Sequence, residues 1–325
     1  MSDDDHSARF MKGKVPFRDV DHYSESLAPV WDLEFRQLTA SQGPGGCSFV
    51  TDGRALIYQE RYPAAVSING AVGSERIAFA LTDTQGQSGR WEGRGHPPDS
   101  IAYADYRKSL DVMMPAGTNN LVAVLPVREF ADKFARLSGR DYDSALSPDR
   151  LFARMKDGGR ERIATCLQRL MSEPVDAGTV TTSIVASLLD GCFFGTDEQM
   201  DDRRQSRQLF RRAVEICMEA SPPLTSPGEI ALRLDVSLRS LQLAFRACAG
   251  VSPGTYLRRL RLNRAHAMLL RSRIGETTVG AVGLDLGFTE LGRFAGEYRE
   301  LFAELPSETL AKPPRVVRGR FPDFP

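Results

Sequence analysis

The 325-residue sequence has few of the residues from which metal and catalytic sites are usually built. Its four histidines, His6, His22, His96 and His266, are far apart, and its five cysteines include no close pair. A zinc site, a redox pair or a disulfide framework needs closer spacing. We therefore predict no metal, no cofactor and no catalytic residue, and we interpret the cysteines as buried thiols that pack as small hydrophobic residues.

Long apolar runs and a recognisable signal peptide are also missing. No run of eighteen apolar residues occurs, which argues against a membrane span. The first ten residues, MSDDDHSARF, are acidic where a signal peptide would be basic and then apolar. We expect a cytoplasmic protein with no membrane partner, and a chain of this length has room for two domains.

A net charge of zero hides an uneven distribution of charge along the chain. From residue 201 onward the sequence has 20 Lys and Arg against 14 Asp and Glu, a net charge of +6, and the first 200 residues have a net charge of −6. A basic C-terminal region beside an acidic one is weak evidence for a domain that binds a polyanion such as double-stranded DNA.

Short apolar runs separated by turn residues fill the chain from residue 31 to residue 125. The runs cover residues 31–38, 55–62, 65–68, 77–81, 101–104, 110–114 and 121–125. Many short strands with regular turns predict an antiparallel sheet or partial barrel. After Pro126 the apolar spacing becomes helical over 127–137, 149–172 and 180–194, which predicts helices that flank the sheet.

A polar stretch over residues 195–206 predicts a linker, and nearly all of the chain that follows has helical spacing. The predicted helices cover 208–220, 227–234, 238–248, 253–270, 279–286 and 290–304. The fold class is therefore α+β, with an N-terminal antiparallel sheet and a C-terminal all-α region.

Two helices joined by a tight turn begin at a strong helix start, Ser226-Pro227-Gly228-Glu229, which fits a capping box. Ser237 is predicted to cap the second helix, with Leu238, Leu241 and Phe245 facing inward. The opposite face carries Arg239, Gln242, Leu243 and Arg246. Arg and Gln on an exposed helix suit a reader of the major groove, although a plain three-helix bundle has the same pattern.

A second unit of the same kind favours DNA binding over a plain bundle. Its turn is Gly287-Phe288-Thr289, with Thr289 as the candidate cap of the next helix, and that exposed helix has Leu291, Phe294, Tyr298 and Leu301 inside. Between the units lies one predicted helix over 253–270, which would be about 27 Å long at ~1.5 Å per residue. One turn of B-DNA is about 34 Å, so such a helix can hold two recognition helices in successive major-groove segments.

The C-terminal region resembles the DNA-binding domain of AraC/XylS-type regulators over residues 208–310. The family pattern S-x-R-x-L-x-x-x-F, G-x-S-P-x-x-Y, R-L-x-x-A, G-F and F-G-x-x-P-S is matched by Ser237, Arg239, Leu241, Phe245, Gly250, Ser252, Pro253, Tyr256, Arg261, Leu262, Ala265, Gly287, Phe288, Phe302, Pro306 and Ser307. Ala303 replaces the last Gly. Within the family, the chain is most similar to regulators of ethanolamine utilisation.

This resemblance implies which residues contact DNA. The family's base-reading positions correspond to Arg239, Gln242, Leu243, Gly292, Arg293 and Gly296. Leu243 and Gly296 stand where the family commonly has Arg, so we expect the first unit to carry most of the sequence discrimination. The residues expected at the DNA backbone are Ser237, Arg246, Arg258 and Thr289.

The resemblance also implies that the first domain binds a small-molecule effector and pairs two copies, and that the protein contacts RNA polymerase. The predicted division is a flexible N-terminus (1–25), an effector and dimerisation domain (26–195), a linker (196–206), the DNA-binding domain (207–312) and a tail (313–325). Four aromatic residues are candidates for an effector pocket, or simply for core packing: Trp31, Tyr58, Tyr62 and Trp91.

The sequence argues against two classes of enzyme that could share some of these features. A cupin-type metal enzyme needs clustered histidines, which are absent. An alkylation-repair protein needs four cysteines near the N-terminus, where only Cys47 occurs. Two alternatives stay open: a helical module that binds protein instead of DNA, which elution from heparin would distinguish, and a DNA-binding protein that needs no effector.

Overall fold

The computed structural model describes residues 11–17, 19–28, 30–73, 75–146, 150–173, 177–194 and 204–313. They form a sheet domain (residues 11–194) followed by a helical domain (residues 204–313). This arrangement confirms the predicted α+β class, with an antiparallel N-terminal part and an all-α C-terminal part.

The larger sheet of the sheet domain contains eight antiparallel strands. They are β1 (Met11–Phe17), β3 (Gly45–Thr51), β4 (Leu56–Arg61), β6 (Arg76–Asp83), β9 (Ser100–Asp105), β11 (Asn119–Pro126), β12 (Phe152–Met155) and β13 (Cys192–Phe193). Their spatial order is β1-β3-β4-β11-β6-β9-β12-β13.

The smaller sheet contains five antiparallel strands in the order β2-β5-β10-β7-β8. They are β2 (Trp31–Gln37), β5 (Val66–Val72), β7 (Arg90–Trp91), β8 (Arg94–Gly95) and β10 (Ser109–Met114). Large apolar side chains from both sheets meet in one core, because alternate residues of each strand face the opposite sheet.

Helices cover the outer face of the larger sheet, where they form a second core. They are α2 (Val127–Ser138), α3 (Tyr142–Ala145), α4 (Gly159–Ser172) and α5 (Ala177–Gly191). A short helix, α1 (Val20–Leu27), contacts β1 and β2 instead. Among the described residues, no helix is both long and apolar enough to cross a bilayer.

Three parts of the sequence prediction need correction. The expected flexible N-terminus contains β1, whose seven residues pair with β3, and α1, whose Tyr23 is buried. The helix predicted over 149–172 is divided, because Phe152–Met155 pairs with β9 and the helix begins only at Gly159. The predicted linker lies largely outside the described residues, and the helix after it begins at Arg204.

The helical domain consists of two small bundles joined by one long helix. The elements are α6 (Arg204–Glu219), α7 (Pro227–Leu234), α8 (Leu238–Ala249), α9 (Pro253–Arg271), α10 (Val279–Asp285), α11 (Leu291–Phe302) and α12 (Pro306–Ala311). One apolar core forms around α6, α7 and α8, and another around α10 and α11. The N-terminal half of α9 contributes to the first core and its C-terminal half to the second, so this helix fixes how the bundles are placed.

Candidate nucleic-acid interface and effector cavity

The first helix-turn-helix unit is formed by α7 and α8. The Ser226 backbone N–H donates to Glu229 Oε1 at 3.0 Å, and the Glu229 N–H donates to Ser226 Oγ at 3.3 Å, which is the predicted capping box. Asp235 has a left-handed backbone (φ +53°) that ends α7. Ser237 Oγ then accepts the Ser240 N–H at 3.0 Å and starts α8, as predicted.

The outer face of α8 carries the residues predicted to read DNA. Arg239, Gln242, Leu243 and Arg246 are all exposed, whereas Leu241 and Phe245 are buried. The expected burial of Leu238 is wrong, because this first residue of the helix is 49% exposed and lies outside the first core. Leu243 is 54% exposed, so its side chain is accessible to a partner surface.

The second unit is formed by α10 and α11. Thr278 Oγ1 caps α10 by accepting the Ala281 N–H at 3.1 Å, and Gly287 (φ +77°) makes the turn. Thr289 is exposed but does not cap α11, since the capping position is Glu290 and no side chain caps the helix there. The structure therefore corrects the predicted capping role of Thr289.

The predicted base-reading residues of α11 share one accessible side of the helix. Gly292 and Arg293 are exposed and Gly296 is half-buried. A Cβ atom added to either glycine would meet no atom within 4 Å, so both positions leave the helix backbone open to a close approach. Leu291 was expected inside but is 39% exposed, because it lies at the edge of the second core, over Gly283.

Glu297 connects α11 with α9 through two arginines. Arg258 Nη1 is 3.0 Å from Glu297 Oε1, and Arg293 Nε is 2.9 Å from the same oxygen. Both arginines are more than 40% exposed, whereas Glu297 is largely covered. The arginine predicted to read bases in the second unit and the one predicted to contact phosphate therefore share one carboxylate.

Not every arginine of α9 is available to a nucleic acid. Arg261 is buried, and its guanidinium donates to the carbonyls of Leu286 and Gly287 and lies 4.5 Å from the centre of the Phe288 ring. Arg264 donates to the Cys217 carbonyl at 3.0 Å. These two side chains hold the units in place, and Arg258 is left on the accessible side.

A cavity lies between the two sheets of the sheet domain, and all four predicted pocket residues line it: Trp31, Tyr58, Tyr62 and Trp91. Its volume is about 60 Å³, which is enough for roughly four to six water molecules at ~10–15 Å³ each. Apolar side chains make up most of the remaining wall, but Glu60 and Asn120 also line the cavity. Sequence reasoning missed these two polar residues.

Glu60 is 4% exposed. Its Oε1 accepts the Tyr62 hydroxyl at 2.6 Å and Asn120 Nδ2 at 2.9 Å. Burial raises the pKa of this carboxyl to about 7, and the two hydrogen bonds oppose that rise. A buried acid beside aromatic rings is a common feature of ligand sites.

Comparison with known proteins identifies the helical domain. A family model described as a helix-turn-helix domain matches residues 230–312. The probable thc operon regulatory protein of Rhodococcus erythropolis is 38% identical over 107 residues, 33% of this chain and 32% of that protein. The XylDLEGF operon transcriptional activator 2 of Pseudomonas putida is 36% identical over 107 residues, 33% of this chain and 68% of that protein. The chain belongs to the AraC/XylS family of transcription regulators.

A solved structure of a probable AraC family transcriptional regulator from Rhodopseudomonas palustris CGA009 is also similar, with 34% identity. The match covers 32% of this chain and 94% of that one, with a TM-score of 0.29. The chain thus spans about a third of the Rhodococcus relative and about two thirds of the Pseudomonas relative, and the similarity to both concerns a third of this chain.

In this AraC/XylS-type regulator the smaller sheet separates the cavity from the helical domain. On β2, β5 and β10 the residues Phe35, Ile68 and Val112 line the cavity. Their chain neighbours face the helical domain: Arg36 Nη2 is 2.7 Å from Met218 Sδ, Ser67 Oγ is 3.4 Å from the Tyr256 hydroxyl, and Met113 packs against the first core.

Polar residues at this domain contact were not predicted from the sequence. Arg36 is buried and donates to Asn69 Oδ1 at 2.5 Å, and Asn69 Nδ2 donates to Asp111 Oδ1 at 2.9 Å. Burial raises the pKa of Asp111 to about 7. Apolar and polar residues alternate over residues 31–36 of β2, which indicates that the second face of the sheet is polar but does not show what covers it.

Proposed function

We propose that the protein is a sequence-specific DNA-binding transcription regulator that reads two successive major-groove segments with α8 and α11. The observation that carries this proposal is that one continuous helix, α9, belongs to both helix-turn-helix cores. Its 19 residues would span ~28 Å at ~1.5 Å per residue, close to the ~34 Å of one turn of B-DNA.

The exposed side chains suit particular base edges. Arg239 can donate to guanine O6 and N7, Gln242 can pair with adenine N6 and N7, and Leu243 can contact a thymine methyl. In the second unit Arg293 contributes the side-chain contact, and Gly292 and Gly296 permit close approach of the backbone. Ser237, Arg246, Arg258 and Thr289 are proposed to contact the DNA backbone, since all four are exposed.

The sheet domain is proposed to bind a small-molecule effector in the cavity between its sheets. A ligand changes DNA binding only if it favours one arrangement of the domains over another. The smaller sheet supports such coupling, because it lines the cavity on one face and packs against the helical domain on the other.

Other parts of the proposal rest on family resemblance alone. They are the pairing of two copies, the contact with RNA polymerase and the placement among regulators of ethanolamine utilisation, whereas the cytoplasmic location and the absence of enzymatic activity are proposed from composition as well. The relatives named above regulate other operons, so the placement among ethanolamine regulators stays a prediction.

Footprinting followed by fluorescence anisotropy with the full chain tests the proposal. Arg239→Ala and Gln242→Ala should each reduce affinity for the footprinted sequence by about 1–3 kcal/mol and have little effect on random DNA. Arg128→Ala is the matched control, because it removes an exposed arginine from the sheet domain. Absence of affinity for any duplex, even at low salt, would favour the protein-binding module instead.

A further inference from the structure

The cavity between the sheets has the composition of a site for a positively charged group. Five aromatic side chains line it: Trp31, Phe35, Tyr58, Tyr62 and Trp91. The described residues that line the cavity include one carboxylate, Glu60, and no Lys, Arg or His. Aromatic faces and a carboxylate both attract cations, and such a wall offers nothing to neutralise an anion.

Two buried hydrogen-bond acceptors in this wall have no donor among the residues that the structure describes. Glu60 uses only Oε1 for its bonds to Tyr62 and Asn120, and within the described part of the chain its Oε2 has no hydrogen-bond partner. Asn120 Oδ1 likewise has none among the described residues. Asn120 Nδ2 donates to Glu60 Oε1, so the two unpaired oxygens belong to the two side chains that this hydrogen bond joins.

An unpaired buried acceptor costs about 1–3 kcal/mol, and more when it is charged. A ligand with several N–H groups at one end would provide the missing donors to both oxygens. An apolar remainder would fill the space among the aromatic rings, and the volume allows about four to six non-hydrogen atoms if each takes roughly the space of one water molecule.

We propose that the effector cavity binds a small primary alkylammonium ion, whose N–H groups donate to Glu60 Oε2 and Asn120 Oδ1 and whose carbon chain lies among the aromatic rings. The inference rests on the proposed effector-binding role of the sheet domain. It adds the chemical class of the ligand and the two residues that select it.

Ionisation of Glu60 makes binding depend on pH. The groups that face Glu60 are Tyr58 on its own strand, Tyr62 just after that strand, Cys47 opposite it on β3 and Asn120 opposite it on β11. Burial raises the pKa values of Tyr58, Tyr62 and Cys47, so these groups are neutral near pH 7. Glu60 alone changes charge there, and a cation binds its ionised form more tightly.

Intrinsic fluorescence of the full chain gives a direct measurement, because the sequence has two tryptophans and both line the cavity. The probes are propylammonium, 1-propanol and propionate, which have similar carbon skeletons and different charges. Propylammonium should shift the emission in a saturable way, 1-propanol should bind at least about tenfold more weakly, and propionate should not bind. Tighter binding of propionate than of propylammonium would overturn the inference.

Glu60→Gln should weaken propylammonium binding at least about tenfold and leave the weak binding of 1-propanol unchanged. Glu161→Gln is the matched control, since Glu161 is exposed on α4 away from the cavity. For the wild-type chain the affinity for propylammonium should rise about tenfold from pH 6 to pH 8, as a carboxyl with a pKa near 7 ionises. If Glu60→Gln does not fold, this pH series on the wild-type chain tests the role of Glu60 instead. An affinity for propylammonium that does not change with pH would contradict the proposal.

DNA binding is measured separately on the same protein. If the full chain binds its operator but not propylammonium, the ligand class is wrong and the proposed regulator stands. If propylammonium binds and no duplex does, the ligand site stands and the proposed DNA-binding role fails.

Discussion

Asn263 of α9 and Gln37 at the end of β2 form a closed pair of hydrogen bonds, although 226 residues separate them. The Gln37 backbone N–H donates to Asn263 Oδ1 at 2.9 Å, and Asn263 Nδ2 donates to the Gln37 carbonyl at 2.9 Å. The Gln37 side chain also donates to the Leu301 carbonyl at 2.6 Å. One residue of the sheet domain thus contacts both α9 and α11, the proposed recognition helix of the second unit.

Asn263→Ala should weaken the contact between the domains, because it leaves the buried N–H and carbonyl of Gln37 without partners. We expect a loss of about 1–3 kcal/mol in the free energy of unfolding, with faster hydrogen exchange at the Gln37 amide. Gln208→Ala removes an exposed amide and is the control. Unchanged protection of the Gln37 amide would show that the pair does not hold the domains together.

Glu297→Gln should strengthen binding to duplexes of any sequence. The change removes a carboxylate that holds Arg258 and Arg293, and both guanidinium groups become free to contact phosphates. The slope of log K against log salt should become steeper, since each additional phosphate contact releases counterions. Anisotropy titrations at several salt concentrations measure this, and weaker binding at low salt would argue against the assignment of Arg258 to the DNA backbone.

Two glycine substitutions in the second unit should have opposite effects on stability. Gly287→Ala should destabilise the protein by about 1–2 kcal/mol, because φ is +77° there and the new Cβ would lie 2.7 Å from Thr225 Cγ2. Gly296→Ala lies within α11 with open space around it, so it should stabilise the helix by about 1 kcal/mol.

DNA binding distinguishes a structural from a recognition role for Gly296. If the helix backbone approaches the DNA at this position, Gly296→Ala should lower the affinity for the operator even though thermal unfolding occurs at a higher temperature. An unchanged affinity would remove Gly296 from the reading surface.

Stability should fall as the pH rises past neutrality, because of His266. This side chain is 3% exposed, and its Nδ1 is 2.7 Å from Asp21 Oδ2 on α1. Burial lowers its pKa, but hydrogen bonds with Asp21 and Glu304 outweigh burial and raise the pKa to about 9. The unfolded value is about 6.5, so the folded state binds the proton more tightly.

The resulting stabilisation, on the order of 3 kcal/mol, is complete below about pH 6.5 and is lost as the pH rises to about 9. Urea unfolding at pH 7.5, 8.25 and 9 measures the part of this loss that lies above the pKa of Glu60 and Asp111, and His266→Gln should flatten the profile over this range. Parallel profiles for the two proteins would assign the pH dependence to other groups.

The sequence predicts well those features that depend on neighbouring residues. The Ser226 and Ser237 caps and the exposed face of α8 follow from local spacing alone. The strand Phe152–Met155 was interpreted as helix because its apolar spacing suits either element, and only pairing with β9, about fifty residues earlier, decides between them. The hydrogen bonds of Glu60 with Asn120 and of Gln37 with Asn263 join residues 60 and 226 positions apart, and no local pattern indicates such partners.

In the strands of the smaller sheet, successive side chains point to opposite faces, so the proposed ligand binding and the contact with the helical domain use different residues. Of two neighbouring residues in β2, β5 or β10, one lines the cavity and the next faces the helical domain. A point substitution can therefore change ligand selectivity while the domain contact keeps its residues, which makes these strands suitable for engineering sensors with new specificities. Insertion or deletion of a single residue would exchange both sets at once and damage sensing and docking together.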